Sequence, residues 1–141
     1  MSPGRPDSAK GGALLAPPLE RAVSAVLALL YLFSAAVQYN DPDPVRWMAI
    51  YLAAAVVCAA HALRPMTAVP GAIVAAAALI WALIWTPDAL KTLPSFGDAT
   101  KFQMMAPGVE EVRELLGLLI VVAGTGGLAL RARLRSRRAT S

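Results

Sequence analysis

Cysteine is nearly absent from this chain, with Cys58 its single example, so an intramolecular disulfide is excluded and cysteine usage cannot report the redox compartment. Charge is scarce as well. Charged residues make up 16% of the sequence, against roughly 25% in soluble domains. The sequence has no Ser/His/Asp order, nucleophile elbow, phosphate-cradling glycine loop or Walker motif, which removes the common signatures of hydrolases and nucleotide enzymes. It has no calcium loop of the DxDxDG type and no internal repeat.

Apolar residues are abundant, at 57% of the chain, an excess that points to lipid as the solvent. The net charge of +4 does not indicate a nucleic-acid partner, because the basic residues gather at the two ends of the chain in the manner of a topology signal.

Residues 1–20, interrupted by Pro3, Gly4, Pro6, Gly11, Gly12, Pro17 and Pro18, are expected to form a flexible tail. Four apolar runs follow, over about 21–39, 45–63, 67–85 and 110–130, each close to the twenty residues a helical crossing needs. A cleaved signal peptide is the rival reading of the first run. The long preceding tail and the later spans favour a membrane helix. Between the third and fourth runs, residues 86–108, which hold the apolar Phe96, Phe102, Met104 and Met105, are expected to be an outer loop that lies on the membrane surface or caps the bundle. A basic tail, 131–141, closes the chain. The predicted architecture is an all-α membrane protein of four transmembrane helices in a compact bundle within residues 21–130.

Orientation follows from the arginine and lysine asymmetry. Arg5, Lys10, Arg21, Arg64, Arg131, Arg133, Arg135, Arg137 and Arg138 fall on one face, and Arg46, Lys91, Lys101 and Arg113 on the other. The positive-inside rule then makes both termini cytoplasmic, in a plasma or inner membrane.

On the outer face the polar segment Gln38-Tyr39-Asn40-Asp41-Pro42-Asp43-Pro44 lies at the same depth as Glu110, Arg113 and Glu114 at the start of the fourth span. Trp47 and Tyr51, one turn apart, are expected in an aromatic belt at that interface. Much of the acidity has a structural explanation. Asn40 or Asp41 suits an Asx turn, Asp43 before Pro44 suits an N-cap, and Glu110 and Glu111 meet the positive end of a helix dipole. Arg113 and Glu114 enter the apolar zone and are less easily explained that way. Asp41, Asp43, Glu110 and Glu114 are the candidate ligands for a hard cation such as calcium, while carboxylates this close also suit proton transfer. On the fourth span Gly117 and Gly124 would admit a close neighbour. Cys58 and His61, three apart, are read as ordinary packing, because metal coordination needs three or four ligands.

The stretches QYNDPDPVRWMAIY and EEVRELLGLLI resemble the two signature segments of the small membrane protein family transmembrane protein 220. The matching residues are Gln38, Asn40, Asp41, Pro42, Asp43, Pro44, Trp47 and Tyr51, then Glu110 or Glu111, Arg113, Glu114, Gly117 and Leu118. The resemblance implies a four-span membrane protein and specifies no activity.

Two functional expectations follow. The first is a non-enzymatic protein whose outer acidic and arginine cluster latches the bundle and binds a cation or a partner protein. The second is a membrane enzyme or small transporter that uses the outer carboxylates for proton transfer. No motif identifies a cofactor. The expected partners are the lipid bilayer and either a second copy of the chain or another membrane protein, with no nucleic acid.

Overall fold

Proline marks several, though not all, of the helix ends. A computed structural model describes residues 15–91 and 109–141, and these form four helices with no strand among the described residues. The expected N-terminal tail up to residue 14, and Phe96, Phe102, Met104 and Met105 of the outer loop, lie outside the described residues.

Helix α1 (Pro18–Val37) starts on Pro18, whose fixed φ suits the first helical position and whose missing N–H would have had no intrahelical partner. Leu19 and Glu20 therefore belong to a helix rather than to the tail. A 3₁₀ turn over Gln38–Asn40 ends it. Asp41, preceding Pro42, is then extended at φ −71° and ψ 147°, as the steric demand of the proline ring requires.

Helix α2 (Pro44–Leu63) again opens on proline and stops at Arg64, extended before Pro65. Helix α3 (Val69–Lys91) runs past Trp85 and through Pro87, where the sequence suggests a loop. Thr86 donates its hydroxyl to the Ala82 carbonyl at 2.7 Å, and Lys91 pairs with Asp88 one turn back at 2.8 Å. Such local bonds support a last turn that carries an internal proline. Helix α4 (Val109–Ala139) has 31 residues, about 46 Å at 1.5 Å per residue, and so exceeds a hydrocarbon core of about 30 Å. The basic segment after Leu130 continues the same helix.

All four helices are long and apolar enough to cross a membrane. Their outward faces carry large apolar side chains, including Leu29, Phe33, Ile80 and Leu83, each more than half exposed, which is the surface that lipid demands. Helices α1 and α2 pack extensively on each other, as do α3 and α4, and α2 joins the two pairs through further contacts with α3 and α4.

Small residues make the approach close: Ala54 and Ala78 are fully buried, and a Cβ on Gly71 would stand 2.8 Å from the Thr125 carbonyl of α4. Trp47 and Tyr51 do not form a lipid-facing belt. Both are buried in the core with Tyr31, Cys58, Leu118 and Val121, because α2 lies between the other helices and this face turns inward.

Candidate functional site

The turn between α1 and α2 is held by its own backbone. The Asp41 amide donates to the Gln38 carbonyl at 3.0 Å, and the Asp41 carboxylate accepts the Asp43 amide at 2.9 Å in an Asx turn. Asp43 occupies the N-cap position of α2 without a side-chain cap bond. Its carboxylate instead pairs with Arg46, three residues on, and both side chains are about half exposed. The Arg46 guanidinium lies 6.0 Å from the centre of the Trp81 ring.

Behind this turn three tryptophans pack together. Trp47 stacks on Trp81 with centroids 4.7 Å apart, and meets Trp85 edge-on at 6.4 Å. The Trp85 indole N–H donates to Glu114 at 2.7 Å, tying the end of α3 to the first turns of α4. One turn further along α4, the Tyr51 hydroxyl fills the space above Gly117. Gly117 thus permits the close neighbour expected of it.

Asp41, Glu110 and Glu114 converge, with one carboxylate oxygen of each lying within 4.8 Å of the others. Asp41 and Glu114 are half-buried and Glu110 is exposed. Asp43, engaged with Arg46, is outside this set. Arg113 is exposed and forms no ion pair with Asp41 or Asp43 among the described residues, so no arginine closes the cluster from across the bundle. Gln38 and Asn40 add no side-chain hydrogen bond to it among the described residues. Beside the cluster, Oε2 of Glu111 is buried without a hydrogen-bond partner.

Three carboxylates at this spacing repel one another unless a cation or a shared proton compensates them. Oxygen ligands of this kind suit a hard cation, whose remaining coordination positions would fall to water or backbone carbonyls.

A second polar cluster, at the opposite end of the helices, escaped sequence reasoning. The Glu20 carboxylate accepts from Arg135 and lies 2.8 Å from Nε2 of His61, which is itself 3.4 Å from the Arg135 guanidinium. All three side chains are largely buried, with exposures of 10% for Glu20, 4% for His61 and 17% for Arg135. Arg21 reinforces the junction by donating from Nε to the Ala62 carbonyl at 2.7 Å. The available signal was depth, since Glu20 opens α1 and His61 nearly closes α2. Arg135 was obscured because α4 continues as a helix beyond its apolar stretch. His61 thus meets charged partners from other helices, and Cys58 is fully buried in the core.

Neither the curated proteins nor the solved structures contain a significant match to the chain. A family model described as transmembrane family 220, helix, matches residues 30–129, a stretch that includes the α1–α2 turn, the tryptophan cluster and the start of α4. With most of its length covered and four helices capable of crossing a bilayer, this integral membrane protein belongs to transmembrane family 220.

Proposed function

We propose that this protein is a non-enzymatic membrane protein in which Asp41, Glu110 and Glu114 bind a hard divalent cation, calcium being the natural probe, and so latch the two helix pairs together. The observation that carries this reading is the convergence of the three carboxylates from two different pairs. Asp41 belongs to the turn of the α1–α2 pair and the two glutamates belong to α4, so a cation held between them would cross-link units that otherwise meet mainly through α2. Trp85 supports the arrangement by fixing one oxygen of Glu114. The arginine asymmetry of the sequence favours an extracytoplasmic cluster with both termini cytoplasmic. The latched face also offers a surface for a second copy of the chain or another membrane protein.

Calcium titration of the melting temperature in detergent tests the reading. A ligand at a hundred times its Kd adds about 2.7 kcal/mol of stability if it binds only the folded state. The wild type should gain stability with calcium, and Asp41→Asn and Glu114→Gln should lose that gain. A melting temperature insensitive to calcium in all three proteins would sink cation binding and leave a shared proton as the account of the cluster. Reporter fusions after Arg64 and within 92–108 test orientation, and a cytoplasmic signal from the latter would invert the scheme.

A further inference from the structure

Helices α1 and α4 are joined at two points and separated between them. At mid-helix the Tyr31 hydroxyl donates to the Ile120 carbonyl at 2.8 Å, and near the start of α1 the Glu20 carboxylate binds Arg135. Between these pins lies a cavity of about 370 Å³, open along one side. Val23 and Leu27 of α1 form one wall and Gly124 and Gly127 of α4 the other. Gly127 leaves the space open, since a Cβ there would meet no atom within 4 Å. An apolar cavity of about 150 Å³ already holds a benzene ring, so this one has room for an extended hydrocarbon segment.

Charge at the mouth selects the headgroup. Glu20 and Arg131 line it, but the Glu20 carboxylate is offset by Arg135. Arg131 is exposed and has no hydrogen bond or ion pair among the described residues, which leaves one uncompensated guanidinium at the end of an apolar groove. A planar guanidinium pairs well with a phosphate in bidentate geometry. We propose that this groove seats one acyl chain of an anionic phospholipid, drawn from the leaflet that surrounds the start of α1 and the end of α4, with the lipid phosphate held by Arg131.

Native mass spectrometry of the full chain in detergent, titrated with phosphatidylglycerol or with phosphatidylcholine of matched acyl chains, tests this. The wild type should retain one phosphatidylglycerol with about tenfold preference, because the fixed positive charge of choline offsets the phosphate that Arg131 would otherwise hold uncontested. Arg131→Gln should abolish the preference, and Gly127→Leu, whose Cβ enters open space at the groove wall, should reduce occupancy by either lipid at least tenfold. Arg133→Gln, an exposed arginine outside the groove, should change neither. Wild-type helicity and melting temperature in all variants would confirm that folding is intact. Undiminished lipid binding by a folded Gly127→Leu protein would overturn the proposal. An equal loss of preference in Arg133→Gln would do the same, since attraction would then be diffuse along the basic segment.

Discussion

The hydroxyl of Tyr31 lies in the space that a Cβ on Gly124 would occupy, and Tyr51 stands in the same relation to Gly117. Helix α4 therefore receives one tyrosine from α1 and one from α2, at glycines seven residues apart, close to two helical turns. Gly117→Ala and Gly124→Ala should each destabilise the protein by about 1–3 kcal/mol, the usual range for overpacking. Thermal melts in detergent measure this. Gly127→Ala, directed into open space, is the matched control, and a loss as large as at Gly124 would detach the effect from the tyrosines.

Arg135 joins Glu20 and His61 at a largely buried site. Removing one member strands its partner's charge, so Arg135→Gln should cost about 3–5 kcal/mol. The double variant Glu20→Gln/Arg135→Gln should recover part of that loss, because neither charge then remains without its partner. A double-mutant cycle on melting stability gives the coupling, and strict additivity would mean that the two side chains do not interact.

Asp43 separates the structural from the binding role of the acidic turn. Its carboxylate pairs with Arg46 where both are about half exposed, and such pairs contribute only about 0–1 kcal/mol. Asp43→Asn should therefore keep both the stability and the calcium response of the wild type, whereas Asp41→Asn should lose the response. Calcium titrations run in parallel distinguish them. Equal loss in the two variants would place Asp43 within the cation site.

Trp85 holds Glu114 through its indole N–H at 2.7 Å, as a positioning residue one step behind the proposed ligands. Substitutions of such supporting groups commonly weaken metal affinity by about 10–100-fold. Trp85→Phe keeps an aromatic ring against Trp47 but removes the donor, so its calcium midpoint should rise about tenfold while the saturated melting temperature stays near that of the calcium-bound wild type. An unchanged midpoint would show that Glu114 needs no such orientation.

Sequence by itself determined the helices. An apolar run of span length must satisfy its backbone internally, and Pro17, Pro18, Pro42, Pro44 and Pro65 place the breaks through constraints that act on adjacent residues alone. The shared depth of the acidic turn and the start of α4 was also legible, because depth is found by counting residues along a helix. The tertiary structure decided which faces meet. In lipid an outward face and an inward face are equally apolar, so periodicity carries little information about which one packs. That is why Trp47 and Tyr51 turn inward instead of lining an interface, and why Asp41 joins Glu110 and Glu114 while Asp43 stays with Arg46. It is also why Glu20, His61 and Arg135, far apart in sequence, come together at the opposite end only once the helices are packed.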